Sequence, residues 1–164
     1  MNHVFLLFLL LAPAALAQRT EGRFTLGTTS FYDDGTVNHL TAGGSLRLYL
    51  TRRWSIEPEF LYMYMRNTGF SRERDYLLWG NISFDFRDRD RRVVPSWFAA
   101  PGLVYHRTSF GQFTFSTTEG AFSTGAGVRI FLNDRWFVTP QVRVGIADGI
   151  FGEVTGSIGY VFRK

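Results

Sequence analysis

The sequence predicts an all-β protein, an eight-stranded antiparallel up-and-down β-barrel that crosses a membrane and follows a cleaved N-terminal signal peptide. Three observations support this fold class. Eight runs alternate between polar and apolar residues, a strand-turn-strand segment is repeated, and the composition is rich in aromatic residues and glycine. Aromatic residues form 17% of the chain and glycine contributes 17 residues, a bias typical of strands joined by tight turns.

The first element is an export signal. Residues 4–12 form a continuous apolar run, and Ala15-Leu16-Ala17 offers an A-x-A cleavage site before Gln18. The run is shorter than the roughly 20 residues that a helix needs to span a bilayer, which favours a signal peptide over a retained anchor. We therefore divide the chain into a signal peptide, residues 1–17, and one barrel domain, residues 18–164.

The mature chain contains eight alternating runs separated by polar turns and loops. These predicted strands cover residues 22–31, 40–50, 54–65, 76–87, 97–106, 119–132, 136–146 and 152–163. Surface loops are expected at 33–37, 67–74, 107–118 and 148–151. Runs of about ten residues fit the 9–11 that cross a bilayer as tilted strands, and strands in lipid must close into a barrel because no edge can stay unpaired.

The segment 43–60 recurs at 125–142 with a constant offset, 129 − 47 = 82. The residues shared by the two copies are Gly43 and Gly125, Arg47 and Arg129, Leu50 and Leu132, Arg53 and Arg135, Trp54 and Trp136, and Pro58 and Pro140. Residues 80–87 are echoed at 156–163. We interpret the pattern as a four-strand unit used twice, against the competing interpretation of coincidence between amphipathic hairpins.

The polar face of the predicted strands carries charges at mid-strand, which predicts a lumen filled by side chains. These candidate lumenal charges are Arg47, Glu57, Glu59, Asp85, Arg129, Arg143 and Glu153. We expect Arg47 to pair with Glu57 or Glu59, and Arg129 with Asp85 or Glu153, because unpaired buried charges are costly. Such a network would act as a polar plug that holds the barrel shut, and the alternative is a conductive or gated pore.

Three tryptophans, Trp54, Trp97 and Trp136, lie at the starts of strands that leave the same rim and predict an interfacial aromatic girdle. Three prolines lie within predicted strands: Pro58, Pro101 and Pro140. Because proline removes a backbone donor, we expect a bulge near the rim at these sites, with equivalent irregularities at Pro58 and Pro140.

On these features the chain resembles the small eight-stranded outer-membrane barrels of the OmpA/OmpX type. The resemblance spans residues 19–164 and implies an outer-membrane location, membrane lipid and the barrel-assembly machinery as partners, and a monomer. It also implies that the closing strand, with Tyr160 and Phe162, is the C-terminal signal read by that machinery. The terminal aromatic is followed here by Arg163-Lys164, and Ser157 stands where glycine is common.

The predicted function is a structural or surface-interaction barrel, without enzymatic activity and without a cofactor. The absence of cysteine excludes disulfides and Cys-ligated metal, and export argues against nucleic acid despite the net charge of +4, which comes from arginines in predicted turns.

Three competing functions are weighed against this one. An outer-membrane esterase is suggested by His106, Thr108 and Glu119, which distantly resemble the triad of lipid A deacylases, a site that faces the lipid. A lipocalin-like soluble barrel would need an apolar interior, which the mid-strand arginine and glutamate residues oppose. An adhesin would depend on the surface loops, whose sequences indicate no particular ligand.

Overall fold

The computed structural model describes residues 19–32, 36–64, 71–88, 91–110 and 113–163. The eight strands are β1 (Arg19–Tyr32), β2 (Thr36–Tyr49), β3 (Trp54–Tyr64), β4 (Ser71–Asp85), β5 (Val93–Phe110), β6 (Phe113–Phe131), β7 (Trp136–Ile146) and β8 (Ile150–Arg163). The predicted signal peptide and the boundary before residue 19 lie outside the described residues. In the part of the chain that the structure describes, no helix is long and apolar enough to cross a membrane.

The strands form one closed barrel in chain order, and every neighbouring pair is antiparallel. The barrel closes where β1 pairs with β8, from Thr20 opposite Arg163 to Phe31 opposite Phe151. The start of β1, the end of β8 and the turn residues 50–53, 86–88, 91–92 and 132–135 therefore lie at one end, which we call the terminal rim. The opposite end is the loop rim. The predicted all-β, eight-stranded up-and-down barrel is confirmed.

Side chains alternate between the barrel interior and its outer surface. On β3, Ser55, Glu57 and Glu59 are buried inside, whereas Trp54 and Phe60 point outward and are exposed. The same alternation makes the outer surface a belt of large apolar side chains, including Phe24, Leu26, Leu46, Leu78, Ile82, Leu103, Val142, Val144, Val154 and Ile158. An apolar surface of this extent fits a barrel surrounded by lipid.

The three prolines interrupt strand pairing without shifting it, so the expected bulge is wrong. Pairing of β2 with β3 stops at Ser45–Glu59 and resumes at Leu48–Ile56 in the same register, which leaves a gap at Pro58. Pro101 and Pro140 cause identical gaps in the β4–β5 and β6–β7 pairings. Because proline removes one donor but adds no residue, the register and the facing of side chains stay unchanged on both sides of each gap.

The repeated segments fold alike. In the two turns, the side chains of Thr51 and Asn133 accept backbone N–H bonds from the residues two and three positions later. A Cβ at Gly43 or Gly125 would collide with a carbonyl oxygen of the neighbouring strand, so both copies require glycine at this position. With the equivalent gaps at Pro58 and Pro140, these features support a four-strand unit used twice.

The loop rim differs most from the sequence prediction. Residues 107–110 and 113–118, predicted to be a loop, continue β5 and β6 as a paired hairpin that ends at Phe110 opposite Phe113. Smaller parts of the other predicted loops also belong to strands, namely 36–37, 71–74 and 150–151. The hairpin is rich in serine and threonine, and its phenylalanines alternate with polar residues only over 113–116, a run too short for alternation to reveal the strand.

Outward aromatic rings mark two levels on the barrel. Near the terminal rim, Trp54, Trp97 and Trp136 are 42–45% exposed, and the ring centroids of Trp136 and Tyr160 are 5.0 Å apart. Near the loop rim, the ring centroid of Tyr76 lies 5.3 Å from that of Tyr62 and 6.1 Å from that of Tyr105. Two rows beyond these tyrosines, Arg74 lies opposite Arg107 in the strand register, and both are exposed on the outer face. Charged side chains there place the edge of the membrane-spanning part at the tyrosine row.

Candidate functional site

Ion pairs fill the terminal half of the barrel interior. Ten charged side chains are involved, each no more than 6% exposed: Arg19, Arg23, Arg47, Arg129, Arg143, Glu21, Glu57, Glu59, Asp85 and Glu153. Five positive and five negative charges cancel within this group. All seven of the lumenal charges predicted from the sequence are among them. Balanced pairing is the condition under which charges persist in a low-dielectric interior.

Arg129 is the centre of the cluster nearest the terminal rim. Its Nη1 lies 2.8 Å from Oε2 of Glu21, and its guanidinium also contacts Asp85 and the hydroxyl of Tyr49. The Tyr49 hydroxyl donates to Asp85 at 2.8 Å. Arg129 therefore links β6 to β1, β2 and β4 across the barrel. Of the two partners expected for Arg129, Asp85 is in contact with it, whereas Glu153 pairs with Arg143.

Glu57 is the centre of the second cluster. It accepts a bond from Nε of Arg47 at 2.6 Å and is also bonded by Arg23 and Ser45. Arg47 reaches Asp85 as well, at 3.6 Å, and so connects the two clusters. Two guanidinium groups, those of Arg23 and Arg47, thus compensate the charge of this one buried carboxylate.

Arg143 is the centre of the third cluster, farthest from the terminal rim. Its Nη2 bonds Glu59 and the side-chain oxygen of Asn81, the latter at 3.1 Å, and its Nη1 lies 3.7 Å from Glu153. The guanidinium carbon also lies 5.1 Å from the ring centroids of Trp79 and Phe98. Arg143 thus forms the boundary between the charged layer and an apolar layer above it.

The half of the interior toward the loop rim contains a buried apolar cluster beside buried polar residues such as Thr41 and Asp75, which corrects the expectation of a polar lumen. The buried members of the cluster are Leu61, Met63, Leu77, Trp79, Ala100, Val104 and Phe151. The cause is visible on β3, where Leu61 and Met63 follow Glu57 and Glu59 on the same inward face. The barrel interior therefore has a charged layer and an apolar layer, both made of side chains that are almost fully buried.

Sequence reasoning misses three of the ten charged side chains, Arg19, Glu21 and Arg23, and it also misses Tyr49, whose hydroxyl bonds Arg129 and Asp85. The first strand predicted from the sequence begins at residue 22, which leaves Glu21 outside any strand. Extending the alternation of Arg23 and Thr25 backwards by one step would place Glu21 on the same inward face.

The residues that suggest an esterase do not face lipid. His106 shares the inward face with Val104, and its Nδ1 lies 2.9 Å from Oδ1 of Asp75, while its Nε2 lies 4.0 Å from Glu119. The hydrogen bond with Asp75 raises the pKa of His106, which lies one row beyond the tyrosine boundary and outside the membrane-spanning part. Among the described residues, no three His, Asp or Glu side chains are arranged to hold a metal ion.

An apolar outer belt, two aromatic levels and an ion-paired interior in a closed eight-stranded barrel define a small outer-membrane β-barrel protein. The chain belongs to the family described as the outer membrane protein beta-barrel domain, whose model matches residues 4–161. The resemblance to small eight-stranded outer-membrane barrels is thereby confirmed. No curated protein sequence matches the chain significantly.

Solved structures of the same fold share little sequence with this chain. The N-terminal barrel of OprF from Pseudomonas aeruginosa has a TM-score of 0.71 at 11% identity and covers 89% of this chain and 98% of its own. Neisserial surface protein A has a TM-score of 0.70 at 12% identity, and the match covers 87% of this chain and 95% of that protein. Ail, the attachment invasion locus protein of Yersinia pestis, has a TM-score of 0.66 at 12% identity and covers 89% and 99%.

Proposed function

We propose that this protein is a surface-interaction barrel of the outer membrane, with both termini in the periplasm, a closed interior and no enzymatic activity. Its β5–β6 hairpin binds extended segments of polypeptides at the cell surface. One observation carries this proposal: β6 has an unpaired edge beyond the loop rim. Membership of the family supports the outer-membrane location, and the hairpin supplies the means of contact.

The unpaired edge covers nine residues, Phe113–Ala121. On one side these residues pair with β5, but pairing with β7 begins only at Phe122 opposite Ile146. Residues 113–118 are all exposed. Backbone N–H and C=O groups along such an edge are available to a strand from another chain, which would extend the sheet by β-augmentation.

The edge lacks the features that usually prevent such pairing. The segment FTFSTTEGA contains no lysine and no proline, and Glu119 is its single charged residue. Its inward face presents Phe113 and Phe115, which are 71% and 63% exposed, while Thr114 and Ser116 face outward. An added strand would gain backbone bonds from the edge and apolar contacts from the two phenylalanines, which favours partners with alternating apolar residues.

The remaining observations fit the same proposal. Buried side chains in both layers of the interior favour a closed barrel over a pore. The inward position of His106 disfavours the esterase. Among the structural neighbours, Ail is named for attachment and invasion and was also solved in complex with a heparin analogue. That likeness shows the fold, so the interaction role here depends on the hairpin itself.

A peptide library tests the proposal. The folded barrel in lipid nanodiscs is panned with phage that display random ten-residue peptides, and enriched peptides are then bound to a shortened variant. Deleting residues 107–110 and 113–116 removes four residue pairs between β5 and β6. The register of these two strands in the membrane-spanning part stays unchanged. We expect enriched peptides to alternate in polarity and to lose binding to the shortened barrel. Equal binding to both barrels would refute the role of the hairpin.

A matched variant separates the backbone edge from its side chains. Replacing Phe113 and Phe115 with serine keeps the unpaired edge and removes the exposed rings. We expect this variant to retain weak binding of the same peptides, because backbone hydrogen bonds remain. Mobility of unheated samples on gels confirms that each variant is folded.

A further inference from the structure

We infer that the terminal rim binds the headgroups of anionic phospholipids, an interaction that rests on the proposed outer-membrane placement and adds a second, lipid-directed role. The rim is strongly basic. Its described residues include six exposed arginines and two exposed acidic residues, so their net charge is 6 − 2 = +4. The arginines are Arg52, Arg53, Arg87, Arg91, Arg92 and Arg135, and the acids are Asp88 and Asp134.

The rim contains a built pocket at the β4–β5 turn. It is lined by Arg53, Phe86, Arg87, Asp88 and Arg91. Arg53 lies 3.5 Å from Asp88, and the backbone N–H of Arg91 donates to the carbonyl of Asp88 at 3.1 Å, which holds the turn together. Three guanidinium groups and one carboxylate leave an excess of two positive charges. Arginine is suited to a phosphate because its planar fork donates two parallel hydrogen bonds.

The depth of this pocket fits a lipid headgroup. Trp54 directly follows Arg53 and belongs to the aromatic level that marks the membrane interface. Ring centroids of Trp54 and Phe84 are 5.0 Å apart, and those of Phe84 and Phe86 are 5.6 Å apart. These outward rings form a path from the pocket to the apolar belt. A phosphate at the arginines would therefore leave its acyl chains along the rings.

The repeat places a second arginine at the equivalent position on the other side of the barrel. Arg135 precedes Trp136 as Arg53 precedes Trp54, and β7 lies four strands from β3 in the closed order. Nη1 of Arg135 donates to the hydroxyl of Tyr160 at 2.9 Å. Since Tyr160 shares the outward face with Phe162, this guanidinium lies on the lipid side of the rim. The structure thus directs positive charge toward headgroups on two opposite sides.

Tryptophan quenching by brominated lipids tests the pocket. In a barrel carrying Trp97→Phe and Trp136→Phe, Trp54 is the remaining lipid-facing reporter, because Trp79 is 1% exposed inside the barrel. The barrel is folded into vesicles of phosphatidylcholine mixed with phosphatidylglycerol, and either lipid is brominated. The measurement is the relative binding constant of the anionic over the zwitterionic lipid at Trp54.

We expect preference for the anionic lipid, which falls by about fivefold for each arginine removed in Arg87→Gln and Arg91→Gln, since an arginine near an anionic surface contributes about 1 kcal/mol. The matched control, Arg74→Gln with Arg107→Gln beyond the loop rim, should leave the preference unchanged. Equal quenching by both lipids in the barrel with an unaltered pocket would overturn the inference. So would an unchanged lipid preference in the variant that carries both Arg87→Gln and Arg91→Gln. Loss of preference on adding inorganic phosphate at constant ionic strength would assign the pocket to a soluble anion instead.

Discussion

Replacing Arg143 with methionine should destabilise the barrel more than the same change at Arg47. The reason lies in the partners left behind. Without Arg143, the carboxylates of Glu59 and Glu153 keep only neutral donors, Asn81 at 3.0 Å and Thr29 at 3.4 Å. Without Arg47, Glu57 is still bonded by Arg23, and Asp85 is still bonded by Arg129.

The magnitudes follow from charge compensation. A buried carboxylate that has lost its cation costs about 3–5 kcal/mol, so Arg143→Met is expected to lower the free energy of unfolding by that amount or more. Arg47→Met removes hydrogen bonds from acids that retain a second arginine, which costs about 1–3 kcal/mol. Arg52→Met, in an exposed turn, should change the free energy of unfolding by less than about 0.5 kcal/mol.

Guanidinium unfolding in phospholipid vesicles, followed by tryptophan fluorescence and by mobility on unheated gels, measures these differences. A triple variant that adds Glu59→Gln and Glu153→Gln to Arg143→Met should recover much of the loss, because neutral amides are buried at lower cost than carboxylates. The reasoning fails if Arg143→Met costs no more than Arg47→Met. It also fails if removing both acids restores nothing.

Three further predictions concern the pore, assembly and pH. Planar-bilayer recordings should show no steady conductance, because both interior layers are filled; large steady currents would favour a pore. Phe162→Asp should reduce the folded, membrane-inserted fraction more than Thr117→Asp in the hairpin, and normal insertion would count against the C-terminal signal. The stability lost in His106→Gln should be greatest below pH 6.5, where the imidazole is protonated in folded and unfolded chains, and should disappear as pH rises through its raised folded value. A pH-independent loss would contradict the role of the Asp75 bond.

Much of the fold could be predicted from the sequence because strand periodicity is local. Side chains two residues apart share a face, so Glu57 and Glu59 could be assigned inward and Trp54 and Phe60 outward before any strand was paired. A chain with eight such strands and an apolar outer face can satisfy its backbone in lipid only as a closed barrel. The tryptophan level could be predicted for the same reason, since it depends on position along each strand.

Periodicity did not reveal strands where the two faces of a segment differ little in polarity. Residues 107–110 and 113–118 are mostly serine, threonine and phenylalanine, and the tertiary structure pairs them as extensions of β5 and β6 through backbone hydrogen bonds that any side chain permits. The prolines show the same limit. Whether Pro58 would add a bulge or leave a gap depends on the pairing of neighbouring strands, and the structure keeps the register.

The sequence by itself determined the inward facing of seven of the ten buried charges, and only the tertiary structure decided which of them meet. Arg129 and Glu21 are 108 positions apart in sequence, and they approach because closure of the barrel brings β1 to within three strands of β6. Glu153 was a plausible partner of Arg129 by charge, but its position along β8 brings it to Arg143 instead. Charge and facing are properties of one strand, whereas contact across a lumen depends on register, tilt and closure of all eight strands together.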